Sequence, residues 1–391
     1  MAWVGEAVAA TEAAAPLRST LHALAAAAAA LPLVSLPVRA GQIEETKMGL
    51  NLFSYQERDG RIGVLSPTAW VQAPVARDLD FEARMTFDSV AGASPQFVSN
   101  EGGAIVHTLS SASIREWRKE AMFKATRWLD DDSLSLGADV SSEHDYLSQT
   151  LSADARFDFL NKNVTWAIGA SVTGDAISFT GFPDVHEKRL SRGIFTGITQ
   201  ILAPTDVLQS NLAFTGGKGY FDDHYEYTLS FLGRRVFLHR DRRPDTRHSL
   251  SWLTRWKHYV PALGAAVGLD YRYYRDSWGI RSHMAELSWH QPLSTIWSVR
   301  PELRYYTQSA ASFYSATIAS SSGVGSSDTR LAAFGALTLA VNLSARFGDR
   351  DTLEIGAGRY VQRASWRFGA GSADLPRFDA AYALLGWTRA F

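Results

Sequence analysis

The chain has 391 residues, with 39 Lys and Arg against 40 Asp and Glu, a net charge of −1 and no cysteine. There is no basic surplus to hold nucleic acid, and neither a disulfide framework nor a thiolate metal site can be built. Aromatic residues are abundant, with 12 Trp, 14 Tyr and 20 Phe, yet no apolar run of about 18 residues follows the first forty, so the sequence offers no membrane helix.

The first element is the stretch "LRSTLHALAAAAAALPLVSLPVRA". Arg18 precedes an apolar run from Leu21 to Leu36, and Val38 with Ala40 forms a small-residue cleavage pattern. Residues 1–40 therefore read as a secretory signal peptide cut after Ala40. Glu6 and Glu12 suit the basic start of such a peptide poorly, so the translation start is expected downstream of Met1. Residues 41–391 read as a single domain. An exported chain without cysteine, poor in helix signals and rich in aromatics, fits a transmembrane β-barrel.

The segments that follow alternate with period two, which indicates strands. Leu79, Phe81, Ala83, Met85 and Phe87 oppose Asp80, Glu82, Arg84, Thr86 and Asp88; Leu134, Leu136, Ala138 and Val140 oppose Ser135, Gly137, Asp139 and Ser141. Trp166, Ile168 and Val172 oppose Thr165, Gly169 and Thr173, and Val299 and Leu303 oppose Arg300, Glu302 and Arg304. About sixteen such strands are expected, an even number as bacterial barrels use. Their starts fall near Thr46, Arg61, Asp78, Glu116, Ser133, Tyr146, Asn163, Leu190, Asp206, Arg247, Leu263, Ile280, Thr295, Thr329, Asp351 and Phe378. The links alternate between tight ones, such as "LDDDS", "LNKN" and "FGDRD", and mostly long ones: 91–115, 174–189, 216–246, 309–328 and 365–377. Short periplasmic turns and long extracellular loops are the barrel signature. Both termini fall on the short-turn side. The closing strand is "YALLGWTRAF", and the strand ending at Phe391 is the expected signal for the barrel-assembly machinery, with Arg389 interrupting its apolar face.

Five stretches, "DSVAGASP", "SSEHDY", "RRPDTRH", "YRYYRDSWGI" and "LRYYTQSAASFY", resemble the bacterial outer-membrane proteins grouped as domain-of-unknown-function family 3570. The resemblance runs from about Met48 to Phe391. It implies an outer-membrane barrel in an envelope redox setting and no established activity.

All five stretches fall at the long-loop ends of strands. Asp245, His248, Asp276, His283 and Gln308 come from neighbouring strands and form a candidate ligand site at the extracellular rim. Two imidazoles with two carboxylates would suit a transition metal better than calcium. The bland alternative is surface structure: pairs such as Arg243 with Asp245 fastening loops, and "DSWG" as a solvated Gly-bearing turn. Asp88 and Glu143 sit on strands far round the wall and need not belong. A second constellation should line the lumen: Asp270, Arg272, Tyr274, Glu286, His290, Arg300, Glu302, Arg304 and Tyr306. It fits either a selectivity surface or a salt-bridged wall bracing a closed barrel. With both signs present, strong selectivity for either ion sign is not expected.

Catalytic pairs are not evident. Ser282 beside His283 and Ser249 beside His248 point to opposite faces of a strand. A dyad of His283 with Ser277 or Ser309 across strands stays open. The leading expectation is porin-like passage or binding of a small polar solute. The alternatives are a rim-sited hydrolase or acyltransferase acting on lipid or ester, and a structural or partner-docking barrel in an envelope redox system. The expected partners are outer-membrane lipid, the assembly machinery and the solute; no cofactor and no nucleic acid are expected.

Overall fold

The computed structural model describes residues 42–58, 62–93, 96–101, 104–109, 113–178, 186–223, 227–232, 235–316, 323–373 and 375–391. The expected signal peptide at 1–40 lies outside them. Twenty strands follow one another among the described residues. They are β1 Lys47–Glu57, β2 Ile62–Ala76, β3 Leu79–Ala93, β4 Gln96–Glu101, β5 Ala104–Leu109, β6 Ser113–Leu129, β7 Asp132–Ser142 and β8 Tyr146–Phe159. Then come β9 Val164–Ser178, β10 His186–Ala203, β11 Asp206–Gly219, β12 Tyr227–Leu232, β13 Arg235–Arg240 and β14 Thr246–Val260. The last six are β15 Ala265–Asp276, β16 Arg281–Pro292, β17 Trp297–Gln308, β18 Phe334–Phe347, β19 Asp351–Arg363 and β20 Phe378–Ala390.

All but β4, β5, β12 and β13 form one closed sixteen-stranded barrel, each strand antiparallel to the next. Closure is made by β1 on β20, in register from Lys47 opposite Ala390 to Glu57 opposite Ala380, and Phe391 N donates to Thr46 O at 3.0 Å. A closed sheet leaves no unpaired edge.

The tight links reverse the chain with left-handed residues at Asp130, Leu160, Asn161 and Lys162 and at Gly264 and Gly348. At this end, three indole N–H groups bond carboxylates: Trp128 to Asp80 at 2.7 Å, Trp256 to Asp206 at 3.0 Å and Trp387 to Asp351 at 3.0 Å. Such amphipathic rings suit a boundary between apolar and aqueous phases.

Alternation sorts the side chains into two walls. Met85, Phe87, Leu136, Val140, Trp166, Ile168 and Leu303 are exposed on the outer wall, and Leu339 reaches 64 % exposure there. Ser135, opposite in phase to Leu136, is buried on the inner wall against the Thr126 hydroxyl at 3.0 Å.

The long links hold more structure than the sequence reading gave them. β4–β5 and β12–β13 are hairpins inside the stretches read as the loops 91–115 and 216–246. β12 pairs parallel to β4, giving a four-stranded sheet in the order β13-β12-β4-β5. A two-stranded hairpin alone is marginal, and pairing two of them gives each a neighbour.

Candidate functional site

The inner wall of β14–β17 carries a row of charge set by register. Arg255 lies opposite Asp270, Asp270 opposite Glu286, and Glu286 opposite Arg304. Arg255 Nε donates to Asp270 at 2.8 Å and Arg304 Nη2 to Glu286 at 2.6 Å, while Arg300 Nε meets Glu302 at 2.7 Å along one strand. Arg272 and His290 share the inward phase of β15 and β16 with Asp270 and Glu286. Tyr274 donates to Asp276 at 3.1 Å and Tyr306 to Gln308 at 2.8 Å. Like charges opposite one another, as at Asp270 and Glu286, are tolerable only because each carboxylate has its own guanidinium.

Beyond β17 the inner wall turns aromatic. Phe53, Tyr55, Phe334, Tyr360 and Tyr382 are buried together, with Tyr306 packed against them and its ring 5.8 Å from Phe334. The sequence carried this signal in "YALLGWTRAF", where both faces of β20 are apolar.

On the far side, Asp88 of β3 and Glu116, Arg118 and Glu120 of β6 are buried on the inner wall. Arg118 Nε bonds Asp88 at 2.5 Å and Arg118 Nη1 reaches Glu120 at 3.2 Å. The turn between β7 and β8 closes onto this group, with His144 N donating to Glu116 at 3.2 Å. Burial pushes the Glu143 carboxyl in that turn up to about 9, opposed by Arg118 and helped by Asp145, Glu116 and Asp88. Asp88 and Glu143 thus belong to a carboxylate-rich cluster of their own, separate from the β14–β17 row.

Two long loops interlock at the mouth. Arg242 and Gly325 exchange backbone hydrogen bonds of 3.0 and 2.9 Å, joining the β13–β14 link to the β17–β18 link. Behind them lies an ion cluster. Asp328, 0 % exposed, takes Arg243 Nη2 at 2.7 Å and Arg330 Nε at 2.7 Å; Arg243 also bonds Asp241 at 2.6 Å, and Arg330 bonds Asp223 at 2.8 Å. Burial raises the Asp241 carboxyl to about 6 against the pull of Arg243. The bracing pair expected for Arg243 was Asp245; in the fold Arg243 turns instead to Asp241 and Asp328, because Asp245 lies exposed at the start of β14. The cluster draws on "FDDH", "HRDRR" and "SSDTRL", which are too far apart in sequence to be matched without the topology.

The turn "DSWG" also differs from the expectation of a solvated turn. Trp278 is only 2 % exposed. Its indole N–H bonds Thr246 O at 2.9 Å, the Arg247 guanidinium stacks over it at 4.2 Å, and Phe221 and Phe313 meet it edge-on. Together with Ile280, Ala311, Leu331 and the inward Tyr274, it forms an apolar plug between loops and wall.

Four of the five rim candidates, His248, Asp276, His283 and Gln308, border one groove, but their side chains do not share a face. Register places Asp276 opposite Ser249, so it shares the inner face with Ser249 and lies across the sheet from His248. Its carboxylate is consumed by Arg247 at 2.6 Å and by the N–H groups of Trp278 and Ile280 at 3.0 and 2.9 Å. His248 and His283 face outward, His248 stacked on Phe214 and His283 Nδ1 sharing a 2.7 Å hydrogen bond with Tyr271 OH. Gln308 points inward and clamps Arg330 O and Ala332 O at 2.7 Å each. Among the described residues no group of three or more His, Asp or Glu is placed to hold a metal ion. The serines considered as nucleophiles serve the backbone: Ser277 Oγ accepts from His248 N at 3.0 Å, and Ser309 Oγ accepts from Arg281 N at 2.9 Å and donates to Gly279 O at 3.0 Å.

The architecture is shared by solved structures of very low sequence identity. A structure titled "Bacterial polysaccharide outer membrane secretin" superposes with a TM-score of 0.51 at 9 % identity, covering 90 % of this chain and 100 % of its own. "CdiB from Acinetobacter baumannii" gives a TM-score of 0.52 at 7 % identity, covering 88 % of this chain, which spans 60 % of that protein's length. At such identities the likeness concerns the barrel fold alone. No curated protein matches the chain in sequence. The family described as "Protein of unknown function (DUF3570)" matches residues 21–188 and 181–376, nearly the whole length, and the chain belongs to that family.

Proposed function

We propose that this protein spans the bacterial outer membrane and that its interior passes or retains a small polar solute. The membrane reading is supported by the outer wall, where large apolar side chains stay exposed on strand after strand of a closed barrel. Soluble monomers rarely expose contiguous apolar surface on that scale. The observation that carries the solute reading is the inner row Arg255–Asp270–Glu286–Arg304, continued round the wall past β17 by the aromatic residues Tyr55, Tyr360 and Tyr382. Paired charges beside aromatic rings offer hydrogen bonds and stacking to a polar solute without fixing the sign of its charge. The interlocked loops at the mouth would then govern access.

The test is swelling of proteoliposomes in isotonic solutions of neutral sugars and of zwitterionic amino acids, compared with protein-free vesicles. Swelling that slows when Glu286→Gln and Arg304→Gln are combined supports a route past the charged row. Vesicles that behave as if empty, with the barrel folded and inserted, would remove the solute reading.

A further inference from the structure

We propose that the outer wall at the long-loop end of β14–β17 binds a phosphate group carried on the headgroup of an outer-leaflet glycolipid; this rests on the membrane reading above. Register arranges that wall in levels. Leu269, Leu287, Leu303 and Leu339 lie side by side across β15–β18. The next level holds Tyr271, Ala285, Tyr305 and Leu337, and the one above it Trp252, Tyr273, His283 and Thr307. At the top, Arg275 stands directly opposite Arg281, beside Leu250. From Leu269 to Arg275 is about 20 Å along the strand. Aliphatic, then aromatic, then basic is the order in which a lipid presents its chains, interface and charged head.

The top level is also a groove. The segment 364–372, between β19 and β20, lies flat on the outer wall: Tyr305 OH donates to Trp366 O at 2.6 Å, and Phe368 N donates to Thr307 Oγ1 at 3.0 Å. Glycine is required beneath it, since a Cβ at Gly335 would come within 2.1 Å of Trp366 O. This segment forms one bank of a groove of about 740 Å³, whose basic lining is His248, Arg275, Arg281, His283 and Arg367. Phe368 stands 84 % exposed at its edge and Phe214 lines the opposite side.

Among the described residues no acid pairs with Arg275 or Arg281 in this groove, and Asp276, the carboxylate in the lining, is turned to the inner wall and held by Arg247. Two arginines directly opposite one another repel. A phosphate accepting charge-assisted hydrogen bonds from both guanidinium groups would relieve that repulsion. The exposed Phe368 and the leucine level below favour a phosphate tethered to acyl chains over a free one.

The experiment is native mass spectrometry of the full-length barrel released from detergent. The probes are bis-phosphorylated lipid A, the same lipid without phosphates, and inorganic phosphate. Wild type should retain the phosphorylated lipid at least about ten-fold more than Arg275→Gln/Arg281→Gln. Lys119→Gln, outward on β6 and away from the groove, should retain as much as wild type. The phosphate-free lipid should not distinguish the proteins. Equal retention by wild type and double variant overturns the site, and displacement of the lipid by millimolar inorganic phosphate assigns the groove to a soluble anion and overturns the lipid. All proteins are first checked for heat-modifiable mobility in the outer-membrane fraction. Equal retention in a correctly inserted barrel therefore sinks this proposal alone, whereas a wild type absent from that fraction sinks the membrane reading with it.

Discussion

Replacing Asp328 by Asn should unfasten the mouth while leaving the barrel closed. Asp328 is wholly buried and takes Arg243 Nη2 and Arg330 Nε at 2.7 Å each, Arg330 Nη2 at 2.5 Å and Arg330 N at 3.0 Å. Asn keeps the shape but removes the charge and turns an amide N–H₂ towards a guanidinium. Removing one partner from a buried ion pair costs about 3–5 kcal/mol. That cost falls on the junction of the β13–β14 and β17–β18 links, because no barrel strand contributes to the cluster. Local opening should become about 10² to 10⁴ times more populated. Amide hydrogen exchange reads this directly. The reporters are the N–H groups of Arg242 and Gly325, which bond each other's carbonyls across the junction, and that of Asp223, which donates to Asp241 at 2.7 Å. Their exchange should accelerate while amides of β15 and β16 keep wild-type rates. Unchanged exchange at Arg242 and Gly325 would refute the idea that this cluster fastens the loops.

Glu143 offers a pH test. Its folded pKa, about 9, lies above the ordinary carboxylate value, so between roughly pH 4.5 and 9 the folded chain holds a proton that the unfolded chain has lost. Stability therefore falls as pH rises through that window, and Glu143→Gln should melt higher than wild type by a margin that grows from pH 5 to pH 9; a margin independent of pH would contradict the assignment. Leu136→Arg, on the outer wall, should cost about 2–4 kcal/mol in a lipid-refolding titration, whereas Leu136→Met should stay near wild type. An arginine tolerated there would argue against lipid at that level. Phe391→Ser should lower the heat-modifiable barrel in the outer membrane if the assembly machinery reads this strand, and wild-type amounts would count against that role.

Period-two alternation made the barrel legible, because a strand wetted on one side and greasy on the other announces both its existence and its facing. The sixteen strand starts were placed within a few residues, with the largest offset at β18, where "TRL" forms a 3-10 turn before Phe334. The facing of His248 against Asp276 was harder. Each phase is clear within its own strand, but which residues share a face across strands depends on the register, and that is set by the turn lengths and the pairing itself. Loop interiors were least legible. Asp223, Asp241, Arg243, Asp328 and Arg330 find one another across gaps of up to 107 positions, and nothing in their local sequence distinguishes a buried ion cluster from charged surface. Trp278 misled in the opposite direction, since a Gly-bearing polar turn ordinarily faces water.

Single-channel recording in planar bilayers, on refolded wild type and on Asp328→Asn, tests the central claim most directly. The account predicts discrete conductance steps from wild type and larger or more frequent steps once the loop junction is loosened. A folded, inserted barrel that stays electrically silent in both forms, at every voltage the bilayer withstands, would contradict a solute path through its interior.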